Sequence, residues 1–191
     1  AIEAFMEAVP SGVIVVLDEA YLEYQADSER PDSRQWLERF PNLVVTRTFS
    51  KIYGMAGLRV GYALTSTEVA DWINRIRQPF NVNTVALYCA EAALTDEDFV
   101  TYSTQTNAVQ RASLAGELEA RGLTCLPSQA NFITFDCGRA STPLYQAMLH
   151  EGVIVRPLAS YEMPEHLRVT VGSEEDNRVF LAALDAVLER E

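Results

Sequence analysis

Lysine, cysteine and histidine are scarce in this sequence of 191 residues, and each shortage excludes a class of protein. The three cysteines are odd in number and lack Cys-x-x-Cys spacing, so neither a disulfide framework nor a zinc site is predicted. The two histidines lie too far apart in the chain to indicate a metal-binding pair. We therefore expect no metal, and unpaired cysteines favour the reducing environment of the cytoplasm.

Positive charge is also in short supply. The chain carries 15 lysine and arginine residues against 27 acidic ones, which gives a formal net charge of −12. Because nucleic acids are bound by basic surfaces, this balance argues against a nucleic-acid partner. No apolar run is long enough to cross a membrane, so no membrane partner is expected.

The first twelve residues, AIEAFMEAVPSG, have neither the basic start nor the apolar run of a signal peptide. They are typical of the end of an amphipathic helix, and the first residue is Ala1 rather than methionine. This pattern predicts that the sequence begins within a longer protein.

Lys51 is the single lysine, and a position that retains lysine in an arginine-rich chain indicates chemistry that needs an amine. Unlike arginine, lysine can lose its proton and act as a nucleophile. The hydroxyls of Thr48 and Ser50, together with Arg59 after a glycine-rich turn, are predicted to hold a phosphate. An amine beside a phosphate site suggests pyridoxal phosphate as the cofactor. The alternative is an ordinary surface lysine on a loop.

Asp18 is a second candidate site residue. It follows a continuous apolar run at 13–17, which is typical of a strand buried on both faces of a parallel sheet, and ligands bind at the carboxyl ends of such strands. The acid could bind magnesium in a nucleotide hydrolase, but the chain lacks the phosphate loop G-x-x-x-x-G-K-[ST]. Two interpretations remain: a carboxylate that faces the ring nitrogen of a cofactor, and an acid that caps the strand end.

The order of the predicted elements indicates an α/β fold with two domains, at 1–113 and 114–191. In the first domain, the strands are expected to bring Lys51 to the same sheet edge as Asp18. The second is a small α+β domain. Strands are predicted at 13–17, 43–46, 59–64, 123–126, 130–136, 153–156 and 167–171, and helices at 33–40, 67–77, 82–94, 96–121, 142–151 and from 173 onwards.

Capping patterns predict where three of these helices begin. Thr95 and Asp98 have the spacing of a capping box, as do Ser173 and Asp176, and Thr67 is predicted to cap the helix that ends near residue 77. The long helix also carries apolar residues at helical spacing, which predicts a buried face. These residues, with one threonine among them, are Phe99, Tyr102, Thr106, Val109, Leu114 and Leu118.

Arg156 and Arg168 each lie in a predicted apolar strand. Burial of an arginine is costly unless its charge is paired, so an anion is expected nearby. The anion is either a carboxylate or phosphate of a substrate, or one of the chain's own acids in an internal salt bridge.

Four segments together resemble a known family. They are DEAY at 18–21, RTFSKIYGMAGLRVGY at 47–62, ANF at 130–132 and HLRVTVG at 166–172. In this order they resemble the fold-type I pyridoxal-phosphate aminotransferases, and within them are most similar to the histidinol-phosphate aminotransferases. The resemblance implies part of the family's large domain, a mostly parallel sheet with helices, followed by its small C-terminal domain.

The resemblance also implies roles for the residues that would hold the cofactor. Lys51 would bond covalently to pyridoxal phosphate and then act as the general base. Asp18 would pair with the pyridine nitrogen, and Tyr21 with the phenolic oxygen. The residues that would hold the cofactor phosphate are Thr48, Ser50 and Arg59.

For the substrates, the resemblance implies an amino-group donor and an acceptor, namely histidinol phosphate and 2-oxoglutarate in histidine biosynthesis. Arg168 would bind a substrate carboxylate or phosphate, with help from Arg156 and Asn131. The family's members also imply a cytoplasmic homodimer. Two alternatives stay open: a related enzyme that acts on aromatic amino acids or decarboxylates threonine phosphate, and an incomplete fragment that only packs against a partner.

Two departures from the family pattern matter for these expectations. The family's first half has no counterpart here, so the chain is expected to be the second half of such an enzyme. In the loop before Arg168, Glu162 occupies a position where glycine is expected.

Overall fold

The α/β fold is described by a computed structural model that covers residues 2–26, 28 and 30–189. The chain divides into two compact units, at 1–101 and 102–191. The helices are α1 Ile2–Ala8, α2 Ser33–Arg39, α3 Thr67–Ile76, α4 Thr84–Leu94, α5 Glu97–Ala120, α6 Ser141–His150 and α7 Glu174–Leu188. The strands are β1 Val15–Asp18, β2 Leu43–Thr48, β3 Gly61–Thr65, β4 Thr124–Cys125, β5 Phe132–Asp136, β6 Arg156–Pro157 and β7 His166–Thr170.

The sheet of the first unit has the strand order β1-β2-β3. Strand β1 is parallel to β2, and β2 is antiparallel to β3. The α/β class is thus confirmed, and within these three strands the sheet is mixed, with one parallel and one antiparallel pair.

Strand β1 differs from its prediction in both length and burial. It begins at Val15 rather than at Val13, and Val16 at its centre is 60% exposed. The prediction of a strand buried on both faces is therefore wrong. Successive side chains of a strand point to opposite faces, and Val16 and Asp18, which share a face, are both exposed, so one face of β1 is uncovered.

Two apolar clusters support the sheet of the first unit. One contains Met6 of α1 with Leu43 and Val45 of β2, all at most 2% exposed. The other joins α4 to Phe49 and Val60, which lie on either side of the segment from Ser50 to Arg59. Phe49 and Val60 also share a backbone hydrogen bond of 3.1 Å, so the loop that contains Lys51 is closed at its base.

The sheet of the second unit is antiparallel, with the order β4-β5-β7-β6. Its core collects apolar side chains from the sheet and from α5, α6 and α7. The residues at most 1% exposed are Leu114, Leu118, Ile133, Phe135, Leu144, Met148, Leu167 and Leu184. Strand β6 begins at Arg156, three residues later than predicted.

The capping predictions have mixed outcomes. The capping box of Ser173 and Asp176 at the start of α7 is confirmed by reciprocal hydrogen bonds between their side chains and backbones. At α5, however, it is the Asp96 carboxylate that accepts the backbone N–H of Phe99 at 3.0 Å. At α3 the cap is Ser66, one residue before the predicted Thr67. Both shifts reflect competition between neighbouring side chains that can cap a helix equally well.

The predicted buried stripe of α5 is correct only toward the C-terminal end of the helix. Leu114 and Leu118 are buried, whereas Phe99, Tyr102 and Val109 are 44%, 68% and 65% exposed. Helical spacing identifies residues that share a face, but it does not say whether another element of the chain covers that face.

The division between the two units falls inside α5, after Thr101, whereas the sequence predicted it after residue 113. Both positions lie in the same continuous helix. Although α5 has 24 residues, neither it nor any other helix in the described part of the chain is long and apolar enough to cross a membrane.

Candidate active site

The carboxyl ends of β1 and β2 bring Asp18 to the sheet edge from which the chain continues to Lys51. Asp18 ends β1 and lies opposite Thr46 of β2, whose hydroxyl donates to the carboxylate over 3.5 Å. Because β1 and β2 are parallel, the chain leaves both at the same edge. Lys51 lies three residues beyond Thr48, the last residue of β2.

The ammonium group of Lys51 faces the segment that follows β1. Its nitrogen lies 5.1 Å from the centroid of the Tyr21 ring, and Tyr21 is three residues beyond Asp18. A cation over an aromatic face is attracted by the negative potential of the ring. Lys51 and Tyr21 are both partly buried. The amine, the phenol and the carboxylate therefore belong to one edge of the sheet.

Hydroxyl and guanidinium groups form a second cluster beside Lys51. The Thr48 hydroxyl accepts the backbone N–H of Ser50 at 3.0 Å. One terminal nitrogen of Arg59 donates to the Ser50 hydroxyl at 3.4 Å and to the carbonyl of Ala56 at 2.8 Å. Arg59 is exposed and adopts a left-handed backbone conformation with φ 54°. Its remaining donors, together with the hydroxyl, are suited to the oxygens of a phosphate.

Asp18 also caps the end of its strand, as the alternative interpretation proposed. Its Oδ1 accepts the backbone N–H of Ala20 at 3.1 Å, which stabilises the turn after β1. The residue is nonetheless exposed, and a carboxylate can accept about four hydrogen bonds, so it retains capacity for a ligand. Capping and cofactor binding are therefore compatible roles.

In the second unit, Arg156 and Arg168 lie directly opposite each other on β6 and β7. The guanidinium of Arg168 is 4.7 Å from the centroid of the Phe132 ring. Arg156 donates to the hydroxyl of Tyr161 at 2.8 Å. Within residues 2–26, 28 and 30–189, neither arginine makes an ion pair. The internal salt bridge is thus not formed there, and the argument from burial for an external anion applies to the half-buried Arg168. Arg156 is exposed, so the expectation that it is buried in an apolar strand is wrong.

Asn131 lies in the loop before β5, next to Phe132. Its backbone carbonyl accepts the N–H of Val171 at 2.8 Å, which joins the loop to the end of β7. The loop is also held from α5, because Arg111 donates to the carbonyls of Gln129 and Ala130 at 2.8 and 3.0 Å. Burial lowers the pKa of Arg111 below its ordinary value.

Sequence reasoning missed two interactions. One is the contact of Arg111 with the loop that contains Asn131, and the other is an ion pair between Glu19 and Arg47. Their partners are 19 and 28 residues apart in the chain, so no local pattern connects them. The sequence features that could have indicated the ion pair are Arg47, which directly precedes the last residue of β2, and Glu19, which directly follows Asp18.

The comparisons with known proteins agree with this geometry. The sequence model of the family described as aminotransferase class I and II matches residues 1–184. The chain therefore belongs to the class I and II aminotransferases.

Two curated relatives show which members of this family the chain is similar to. The protein named histidinol-phosphate aminotransferase 2 from Methylococcus capsulatus is 54% identical over 185 residues, and its namesake from Pseudomonas aeruginosa is 54% identical over 188 residues. The alignments cover 97% and 98% of this chain but only 50% and 51% of the relatives. The chain thus spans about half the length of the curated relatives it matches, and the sequence resemblance is confirmed over that half.

Solved structures agree on the fold. Histidinol-phosphate aminotransferase from Sinorhizobium meliloti, in complex with pyridoxal 5′-phosphate, has a TM-score of 0.89 and 30% identity over 99% of this chain and 52% of that one. The enzyme of the same name from Clostridium acetobutylicum has a TM-score of 0.91 at 24% identity, over 100% of this chain and 58% of that one.

Proposed function

We propose that this chain is the lysine-bearing half of a pyridoxal-phosphate-dependent aminotransferase. Family membership and the names of relatives that are 54% identical over nearly the whole chain support the proposal. The observation that carries it is the position of the single lysine, whose amine faces Tyr21 at the sheet edge that also holds Asp18.

The residues at this edge fit the cofactor chemically. When bound, pyridoxal phosphate supplies an aldehyde that captures an amino group and a ring that accepts the electrons released at the substrate α-carbon. Asp18 is suited to accept a hydrogen bond from a protonated ring nitrogen, and Tyr21 to donate one to the phenolic oxygen. The groups assigned to the phosphate are Thr48, Ser50 and Arg59.

We assign proton transfer to Lys51. A primary amine that has lost its proton can take one from the α-carbon of a substrate and return it to a nearby carbon. Arginine cannot replace it, since a guanidinium keeps its proton at any accessible pH. The contact with Tyr21 restrains the long side chain, which reduces the conformational freedom that the amine must lose before it reacts. Lys51→Arg should therefore abolish turnover even though the charge is kept.

We assign the substrate anion to Arg168, with Arg156 and Asn131 in support. Like charges directly opposite each other in a sheet repel, and these two arginines share a register position. A carboxylate or phosphate bound to both would remove that repulsion, and the planar guanidinium can hold two of its oxygens at once. The contact of the Arg168 guanidinium with the Phe132 ring, at 4.7 Å from the ring centroid, restrains this side chain.

The substrates proposed are histidinol phosphate and 2-oxoglutarate, as the names of the relatives suggest. Turnover of histidinol phosphate, phenylalanine and threonine phosphate should be compared, and faster turnover of either alternative would contradict the assignment.

We further propose a homodimer in the cytoplasm. Val85, Leu87 and Tyr88 of α4 are all more than half exposed and support an interface, and the three unpaired cysteines support a reducing compartment.

The experiment that tests the cofactor assignment is a titration of the purified chain with pyridoxal phosphate, followed by absorbance. A saturable spectral change is expected, which Lys51→Ala should abolish and Arg59→Met should move to higher cofactor concentration. No spectral change with the unaltered chain would support the alternative in which this chain is a packing module only.

A further inference from the structure

The face of the sheet opposite Asp18 carries a buried ion pair. Successive residues alternate between the faces of a strand, so Glu19 turns inward where Asp18 turns outward. The Glu19 side chain is 3% exposed and that of Arg47 is 21% exposed. The Oε2 of Glu19 accepts a hydrogen bond from Nε of Arg47 at 2.9 Å, and Nη2 of the same guanidinium also lies 2.9 Å from this oxygen.

The pair joins all three strands of the first unit. Arg47 lies in the central strand β2, Glu19 directly follows β1, and Tyr62 lies opposite Arg47 in β3. Burial alone would lower the pKa of Arg47, but hydrogen bonds with Tyr62 and Glu19 raise it above the usual value. The charge of Arg47 is therefore held by both neighbouring strands.

Aromatic contacts extend this support beneath the loop that contains Lys51. The Tyr62 ring lies 5.8 Å from that of Phe49, which lies 5.0 Å from that of Tyr53. Phe49 and Tyr53 are each two residues from Lys51, on either side of it. A displacement of Arg47 would thus be transmitted to the turn that carries the amine.

Stability alone is a weak reason for such a pair. Removing two charges from water costs about as much as their attraction returns, and apolar side chains of similar size often serve as well. Here the second carboxylate oxygen, Oε1, is buried without a hydrogen-bond partner among the described residues, which adds to the cost. Of the two partners, Glu19 is bonded to Asp18 in the chain, and Arg47 to Thr48.

We propose that Glu19 and Arg47 are positioning residues, which act through Asp18 and Lys51 by fixing the ends of β1 and β2 relative to each other. The inference rests on the proposed function. A charge-assisted hydrogen bond, with a second guanidinium nitrogen equally close to the same carboxylate oxygen, permits little sliding between strands, whereas apolar contacts are non-directional. The pair therefore sets the spacing of the acid and the amine, which a cofactor must bridge.

The test compares a single and a double substitution. Arg47→Met leaves Glu19 buried and unpaired, and should lower the urea midpoint of unfolding. Glu19→Leu combined with Arg47→Met removes both charges and should restore that midpoint. Arg75→Met removes an exposed ion pair with Asp71 on α3 and is the matched control. Glu19→Gln keeps the shape of the side chain in case the other variants do not fold.

Two readouts separate positioning from stability. Because Lys51 is the only lysine, a chain labelled with [ε-13C]lysine gives one side-chain signal that reports the surroundings of this amine without any cofactor. The second readout is the midpoint of the pyridoxal phosphate titration. In the double variant we expect a shifted lysine signal and about 10- to 100-fold weaker cofactor binding, since a displacement of about 1 Å can cost that much. Glu19→Gln should weaken binding about threefold or more, and Arg75→Met should change neither readout.

If the double variant, or Glu19→Gln where the double variant does not fold, binds as the unaltered chain does and keeps its lysine signal, the pair is merely structural and the inference is wrong. If the unaltered chain itself does not respond to pyridoxal phosphate, the proposed function fails and the inference fails with it. The two failures are distinguished by the behaviour of the unaltered chain.

Discussion

Glu162→Gly should stabilise the protein, because Glu162 holds a backbone conformation that favours glycine. It follows the short 3-10 turn Ala159–Tyr161 and has φ 62° and ψ 25°, the left-handed region. A residue with a Cβ atom pays about 1–2 kcal/mol there. Glycine avoids this cost but loses about 0.5–1 kcal/mol more chain entropy on folding. The net gain is about 0.5–1 kcal/mol.

This gain should be measured as an increase in the urea midpoint, or as a rise in the melting temperature of about 1–4 °C. Two controls isolate its cause. Glu162→Gln removes the charge but keeps the strained conformation, and should leave stability within about 0.5 kcal/mol. Glu165→Gly, three residues on at a negative φ, should destabilise by about 0.5–1 kcal/mol. A stability of Glu162→Gly at or below that of the unaltered chain would refute the reasoning.

Two further substitutions test the packing and the charges. Gly61→Ala places a Cβ atom 2.6 Å from the backbone carbonyl oxygen of Arg47, and should lower the free energy of unfolding by about 1–3 kcal/mol in urea denaturation; an unchanged value would contradict the tight approach of β2 and β3. Arg121→Met removes two hydrogen bonds of 2.6 and 2.8 Å to Asp185 and two more to Glu117, and should lower the free energy of unfolding by about 1 kcal/mol at pH 7 because these groups are partly exposed.

The same pair gives a prediction for pH. Hydrogen bonds from Arg121 lower the pKa of Asp185 below its ordinary value of 3.8. A carboxylate whose folded pKa is depressed stabilises the protein above its unfolded pKa, and this stability is lost as the pH falls through the folded value. The difference in unfolding free energy between Arg121→Met and the unaltered chain should therefore shrink below a pH of about 4. A difference that is independent of pH would mean that lost packing, not charge, explains the effect.

The sequence predicted those parts of the site that depend on composition and on strand order. A single lysine is visible without any structure, and Asp18 could be assigned to a strand end because an apolar run stops there. The parallel register of β1 and β2 then brings both to one edge. The capping box of Ser173 and Asp176 could also be predicted from the sequence, because both residues lie within one helical turn.

Other features depend on neighbours that the sequence does not reveal. The apolar run of β1 resembles a fully buried strand, yet Val16 is exposed because burial depends on which elements cover each face. The exposed Tyr102 and Val109 of α5 illustrate the same limit. The ion pair of Glu19 and Arg47 required the register of two strands whose residues are 28 positions apart.

The most direct test of the central claim is to mix the purified chain with pyridoxal phosphate, reduce it with borohydride and map the modified peptide by mass spectrometry. We predict a single modified site at Lys51, with no modification of that peptide in Lys51→Ala. Modification confined to the amino terminus, or none at all, would contradict the assignment of Lys51 as the residue that bonds to the cofactor.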